Sequence, residues 1–191
     1  MASEPRAERR ALLITGTVGA GKTTVADLLS DRLAEVGVPH AVVDLDRLCQ
    51  FWPPPADDPF NFELQLRNLR ALARNHFEAG ARRLVLAGVV ERHRDRERYR
   101  AAVGAELSVC RLTAAPAVLR ERLIRRHHDD ADGLRRHLRR AGELTRVLDR
   151  ARPEDFRVDT TGRPAARPPW SRRPCRKPSA GGESAGCGGR G

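Results

Sequence analysis

The chain has 191 residues, of which 40% are hydrophobic and 32% charged, and its formal net charge is +11. This length suits one domain with or without a tail, and no apolar run approaches the ~20 residues that a membrane-spanning helix needs. Four cysteines without a CxxC spacing indicate neither a zinc site nor a disulfide framework, so we expect a reduced, cytoplasmic protein.

Short apolar strands alternate along the chain with helices of amphipathic spacing. The predicted strands are residues 11–15, 41–45, 84–87, 107–112 and 156–159, and the predicted helices are 22–36, 62–77, 116–123 and 134–151. A proline-rich loop lies between the second strand and the second helix. Strands that are apolar on both faces and separated by helices predict a parallel sheet covered on both sides, an α/β fold of three layers.

The pattern of strands and helices ends at Gly162. Residues 163–191 contain five Pro, six Gly and a single large apolar residue, Trp170, which is too little apolar surface to fold around. We therefore predict a folded domain over 1–162 and a disordered tail over 163–191. Six Arg and one Lys against one Glu give this tail a charge of +6, which leaves +5 of the total +11 for residues 1–162. Apart from nonspecific contacts of the tail, the charge indicates no nucleic-acid partner.

The turn after the first strand matches the phosphate-binding pattern G-x-x-x-x-G-K-[ST] in full, with a strand before it and an amphipathic helix after it. Its residues are Gly16, Thr17, Val18, Gly19, Ala20, Gly21, Lys22 and Thr23, followed by Thr24. Glycines let several backbone N–H groups point at one anion, and the helix N-terminus adds positive charge. We expect Lys22 to reach the β and γ phosphates and Thr23 to bind magnesium. The pattern predicts that the protein binds a nucleoside triphosphate with Mg²⁺.

Two carboxylates, Asp44 and Asp46, end the second predicted strand, whereas the third strand carries no acid before Glu91. On an extended backbone the two side chains leave on the same side, at the sheet edge where α/β folds bind ligands. One acid would then orient the water shell of the metal and the other would accept the proton of an acceptor hydroxyl. We assign the first role to Asp44 and the second to Asp46, although the two roles are exchangeable. The alternative is that one of them only caps the following turn.

With these motifs the chain resembles the small P-loop kinases of the adenylate, gluconate, shikimate and adenylyl-sulfate kinase type. The resemblance rests on the phosphate loop, the Asp44-x-Asp46 pair, the run Arg122-Leu123-Ile124-Arg125-Arg126 and the stretch Val158–Gly162. It implies an AAA-type, P-loop NTPase fold with five parallel strands in the order 2-3-1-4-5. It also implies phosphoryl transfer from ATP, an arginine-rich helix leading into a lid, and a final loop that passes near adenine.

Arg122 and Arg126 lie four residues apart on one helical face, which suits guanidinium groups that stabilise a migrating phosphoryl group. Arg125 is an equal candidate by spacing, and in a chain with this many arginines each could be a surface residue. Tyr99-Arg100 resembles a pair found in gluconate-kinase-like proteins, but a solvated charged helix explains that segment better. His127 and His128 indicate a polar turn more than a metal site.

The sequence thus predicts an ATP-dependent kinase of a small molecule, with Lys22, Asp46, Arg122 and Arg126 as catalytic residues and Thr23 and Asp44 at the metal. The partner would be a small acceptor rather than a membrane, and the protein a monomer or homodimer. Two alternatives stay open: a kinase specific for adenylyl sulfate, and an ATP-binding or ATPase module without kinase activity.

Overall fold

A computed structural model describes residues 9–162 of the chain. The predicted tail over 163–191 lies outside these residues. Within the described part, no helix is long and apolar enough to cross a membrane.

Within residues 9–162, five strands and five α-helices follow one another, and four of these helices are the ones predicted from apolar spacing. The strands are β1 (Arg10–Gly16), β2 (His40–Asp44), β3 (Arg83–Ala87), β4 (Glu106–Thr113) and β5 (Phe156–Asp159). The helices are α1 (Lys22–Glu35), α2 (Phe62–Glu78), α3 (Asp95–Val103), α4 (Pro116–Arg126) and α5 (Ala131–Ala151). A single 3₁₀ turn, Leu45–Arg47, follows β2. The additional helix, α3, is the charged segment after β3.

The strands form one parallel sheet in the order β2-β3-β1-β4-β5. Because β1 lies between β3 and β4, the chain leaves β1 towards one side of the sheet and later crosses to the other side. The loop after β1 therefore lies at the topological switch point, where open α/β sheets bind ligands. The fold class and the strand order expected from the sequence are confirmed.

Side chains of the central strands point alternately to the two faces of the sheet, and each face has its own hydrophobic core. On one face, Leu13 of β1 and Leu86 of β3 pack with residues of α2 and α3, such as Leu69 and Tyr99. On the other face, Ile14 and Val85 pack with residues of α1 and α4. This arrangement explains why the strands are apolar in continuous runs, since both of their faces are covered.

One local prediction at the end of β2 is wrong. The extended strand ends at Asp44, and Asp46 lies in the 3₁₀ turn, so the two carboxylates are not related by strand alternation. The Oδ1 atom of Asp44 accepts a hydrogen bond from the backbone N–H of Asp46 at 3.0 Å. Asp44 thus caps the turn, as the alternative interpretation of the pair allowed.

Candidate active site

The loop between β1 and α1 forms an open cradle for an anion. Gly16, Gly19 and Gly21 have φ angles of +147°, +83° and +95°, which side chains other than glycine rarely adopt. A Cβ atom at Gly16 would also lie 2.7 Å from the carbonyl oxygen of Leu112. No side chain caps the first turn of α1, so its N–H groups stay available to a phosphate.

Lys22 is half-buried at the first position of α1, rather than on an exposed loop. Its Nζ atom donates hydrogen bonds to the carbonyl oxygens of Gly16 and Thr17, at 3.0 and 3.2 Å. Burial lowers the pKa of Lys22, while the nearby carboxylates of Asp46 and Asp44 act in the opposite direction. The ammonium group therefore lies over its own loop, facing the two acids across the cradle.

The two threonines of the phosphate loop have different environments. Thr17 is buried, and its hydroxyl donates to the carbonyl oxygen of Ala141 in α5 at 2.8 Å, which ties the loop to that helix. Thr23 is exposed and borders the cleft in front of the loop, together with Val18 and Thr24. Its hydroxyl makes no hydrogen bond with residues 9–162, and its role as a metal ligand stays a prediction of the motif.

Asp44 and Asp46 border the same cleft as Lys22 and Thr23. Burial raises the pKa of Asp46, and repulsion by Asp44 adds to this effect, while attraction by Lys22 opposes it. Carboxylate and hydroxyl oxygens are the ligands that Mg²⁺ prefers, so the donor set of Thr23 and the two acids fits this ion.

Three of the four arginines of α4 differ in the contacts that they make. Arg122 is half-buried and donates to the carbonyl oxygen of Thr160 at 2.6 Å and to its hydroxyl at 3.2 Å. Arg125 forms a 2.6 Å ion pair with Glu121 on the same helix. Arg126 borders the cleft without a hydrogen bond or ion pair to any of residues 9–162, and its charge helps to lower the pKa of Lys22. Arg126 is therefore the arginine best placed to meet a new anion.

Thr160, in the loop after β5, joins three elements around the phosphate loop. Its hydroxyl lies 3.1 Å from the carbonyl oxygen of Ala20 and 3.0 Å from that of Thr113. Together with its bonds to Arg122, these contacts hold the stretch Val158–Gly162 against the phosphate loop. The segment that the sequence relates to adenine binding thus lies beside the cradle.

In front of the phosphate loop lies an open cleft of about 1240 Å³. Its walls come from the phosphate loop, the turn after β2, the start of α2, α3, α4 and α5. From the proline-rich segment, Pro59 and Phe60 line the cleft, whereas Phe51 and Trp52 are exposed outside it. The cleft is large enough to hold a nucleotide and a second small molecule.

Tyr99 and Arg100 do not act as a pair. Tyr99 is buried, borders the cleft and donates its hydroxyl to Oε1 of Gln65 at 2.6 Å. Arg100 points elsewhere and forms an ion pair with Glu106 at 2.5 Å. His127 stacks on His137 with ring centroids 4.5 Å apart, and within residues 9–162 no three His, Cys, Asp or Glu side chains form a group that could hold a metal ion.

Sequence reasoning missed the polar face of α2 that supports this site. Asn61, Gln65 and Asn68 recur at i, i+4 and i+7 and donate to backbone carbonyls of the segment after β2. Their helical spacing was a usable signal, because three amides on one face of an otherwise apolar stripe need partners. The sequence-based prediction of this helix used only its hydrophobic positions.

A family model described as AAA domain matches residues 12–141, which run from β1 through the phosphate loop into α5. The chain belongs to the AAA domain family. A search of curated proteins finds no significant match. Among solved structures, the tunicamycin resistance protein of Deinococcus radiodurans is 20% identical, with a TM-score of 0.56 over 83% of this chain and 90% of that one.

Two of the solved structures to which this AAA domain protein is similar are those of small-molecule kinases. Shikimate kinase from Acinetobacter baumannii, in complex with shikimate, is 18% identical and has a TM-score of 0.52, over 85% of this chain and 88% of that one. The APS kinase of Mycobacterium tuberculosis, in complex with AMPPNP and APS, is 24% identical and has a TM-score of 0.50, over 83% and 91%. At these identities the likeness confirms the P-loop kinase fold that the motifs suggest.

Proposed function

We propose that this protein is an ATP-dependent phosphotransferase that moves the γ-phosphoryl group of ATP to a hydroxyl of a small molecule. The observation that carries the proposal is one cleft with a phosphate cradle and Lys22 on one wall and a carboxylate of raised pKa, Asp46, on another. A phosphate-binding site needs only the first of these features. An acceptor hydroxyl that must lose its proton needs the second.

Each residue has one task in this mechanism. The N–H groups of residues 16–24 hold the phosphates, and Lys22 exchanges its bonds to the loop carbonyls for bonds to the β and γ phosphates. Arg126 and Arg122 approach the migrating group and stabilise its charge. Asp46 accepts the proton of the acceptor hydroxyl as the phosphoryl group arrives.

Thr23 and Asp44 would hold Mg²⁺, Thr23 through its hydroxyl and Asp44 through the water shell of the ion. When bound, the ion supplies charge neutralisation between the β and γ phosphates. Asp44 also keeps its bond to the N–H of Asp46, so one carboxylate can orient the metal water and the turn that carries the base.

Charged residues of both signs line the cleft, so its charge does not select one class of acceptor. Asp57 and Asp95 line it, and their carboxylates accept no hydrogen bond from residues 9–162. Arg92, just before α3, also lines the cleft, and its side chain makes no hydrogen bond or ion pair with the same residues. Arg98 is already bonded to both carboxylate oxygens of Glu63, at 2.5 and 2.6 Å. A neutral, a cationic or an anionic acceptor would therefore each meet a suitable group, and adenylyl sulfate stays a candidate.

Release of ADP in the presence of candidate acceptors tests the proposal. The sugar series glucosamine, glucose and gluconate offers a cation, a neutral molecule and an anion of similar size, and adenylyl sulfate tests the alternative kinase directly. We expect acceptor-dependent ADP release with at least one of these hydroxyl compounds and little release without an acceptor. Steady ADP release that no acceptor stimulates would instead identify an ATPase module.

A further inference from the structure

The amide face of α2, formed by Asn61, Gln65 and Asn68, holds the chain segment that follows β2. Asn68 donates to the carbonyl oxygen of Leu48 at 2.8 Å, and Asn61 donates to two carbonyls farther along the segment at 2.9 and 3.0 Å. Gln65 donates through Nε2 to the carbonyl oxygen of Leu45 at 2.9 Å. Of the three amides, Gln65 therefore holds the peptide nearest to Asp46.

The peptide unit between Leu45 and Asp46 is held from both of its polar ends. Its carbonyl oxygen accepts the bond from Gln65 and a second one from the N–H of Leu48 at 3.0 Å, and its N–H donates to Oδ1 of Asp44 at 3.0 Å. Because a peptide unit is planar and rigid, these bonds hold the direction in which the chain enters the Cα atom of Asp46. The bond from Gln65 is the one among them that comes from outside the turn and its cap.

Packing under the turn also holds this peptide. The Leu45 side chain is fully buried, and a Cβ atom at Gly88 would lie only 2.7 Å from its Cβ and Cδ1 atoms. Leu45 thus fills the space that glycine leaves after β3. The turn is anchored below by this side chain and above by Gln65.

Tyr99 determines which way the Gln65 amide faces. The Tyr99 hydroxyl donates to Oε1 of Gln65 at 2.6 Å, and both side chains are buried. Burial raises the pKa of Tyr99, so its hydroxyl stays protonated and remains a donor. With Oε1 engaged by a donor, Nε2 of Gln65 must face the carbonyl of Leu45.

We propose that Gln65 is the positioning residue for Asp46, and that Tyr99 holds Gln65 in the orientation that this task requires. The inference rests on the proposed function, in which Asp46 accepts the acceptor proton. Neither side chain touches the reacting atoms in this scheme. They fix the peptide on which the base is carried, and displacement of such a group by about 1 Å can cost on the order of 10²-fold in rate.

The test compares Gln65→Leu with the matched control Asn68→Leu, using acceptor-dependent ADP release and thermal unfolding. Both changes delete one amide bond from α2 to the same segment, at 2.9 and 2.8 Å. We expect Gln65→Leu to lower kcat about 10–100-fold with an unchanged KM for ATP, and Asn68→Leu to stay within about threefold of the wild type. Equal losses of kcat in the two variants would overturn the inference.

A double variant separates positioning from general stability. If Gln65 acts through Asp46, Gln65→Leu should cost almost nothing in kcat when Asp46→Asn is already present, because coupled residues are not additive. Full additivity would show that Gln65 acts elsewhere. Should Gln65→Leu fail to fold, Tyr99→Phe serves instead, since it removes only the hydroxyl that orients the amide, and wild-type kcat in that variant would contradict the scheme.

Different results would refute the positioning role of Gln65 and the proposed phosphotransferase function. An enzyme that transfers phosphoryl groups but responds equally to Gln65→Leu and Asn68→Leu refutes the positioning role and leaves the proposed function intact. A wild-type protein that releases no ADP with any hydroxyl compound refutes the proposed function, and the positioning role with it.

Discussion

At the scale of single residues, the first prediction concerns Lys22. Its ammonium group bonds two carbonyls of the loop, and the two acids opposite offset part of the cost of its burial. Lys22→Ala should weaken ATP binding by about 10–150-fold, the value of a charged hydrogen bond worth ~1.5–3 kcal/mol. Calorimetry with ATP and Mg²⁺ measures this change. Unchanged affinity in a folded variant would contradict the assignment of the loop.

The second residue-scale prediction concerns the proposed base. Asp46→Asn keeps the size of the side chain and removes its basicity, so turnover should fall by about 10²–10⁴-fold while ATP binding persists. Because the pKa of Asp46 is raised, the wild-type rate should decline with falling pH earlier than an ordinary carboxylate would cause. The pH profile of kcat with a turned-over acceptor tests both statements. A variant that keeps normal turnover would leave the chemistry to positioning alone.

Two adjacent arginines of α4 provide a third prediction with an internal control. Arg126 has no partner among residues 9–162, whereas Arg125 is paired with Glu121 at 2.6 Å. Arg126→Ala should lower kcat by about 10²–10³-fold, the usual effect of removing a group that stabilises transition-state charge. Arg125→Ala should have a much smaller effect, and steady-state kinetics of the two variants compare them directly. Similar losses in both would mean that the helix changes its contacts when the nucleotide binds.

At the scale of elements, the cleft depends on how α2 begins. Both carboxylate oxygens of Asp58 accept backbone N–H bonds of the first turn, from Phe62 at 2.8 Å and Glu63 at 2.9 Å. Asp58→Ala should lower the free energy of unfolding by about 1–2 kcal/mol, as the loss of a helix cap does. Its neighbour Asp57 is exposed and makes no such bond, so Asp57→Ala should change stability by less than ~0.5 kcal/mol. Chemical denaturation of both variants measures the difference, and equal stabilities would show that the cap contributes nothing.

Elements also show where sequence reasoning succeeds. The strands and the long helices follow from apolar periodicity, because a sheet covered on both faces needs continuous apolar runs and each covering helix needs one apolar stripe. The turn at Asp46 could not be predicted in this way. The turn after β2 is held by the bond from Gln65 of α2 to the carbonyl oxygen of Leu45. Gln65 lies more than fifteen residues farther along the chain, so the apolar spacing near Asp44 and Asp46 does not show where the strand ends.

At the scale of the whole molecule, one part of the candidate site could be predicted from the sequence and the other part could not. The phosphate loop is local, so its glycines, Lys22 and Thr23 are legible in a single stretch of sequence. The acceptor end is assembled from α2, α3 and the turn after β2, which meet only in the folded chain. Asp95 therefore gave no local signal, and the pairing of Arg98 with Glu63 could not be read from spacing.

The last prediction concerns the boundary of the functional unit. Among residues 9–162, those that line the cleft lie between Val18 and Leu144, and the sheet ends with β5 at Asp159. A protein that ends at Gly162 should therefore bind ATP within about threefold of the full chain, a difference of less than ~0.7 kcal/mol. Calorimetry on the two forms, at equal ionic strength because the removed segment carries a charge of +6, makes the comparison. If the shortened protein folds but loses its affinity for ATP, residues 163–191 contribute directly to the nucleotide site, and the domain boundary drawn at Gly162 is wrong.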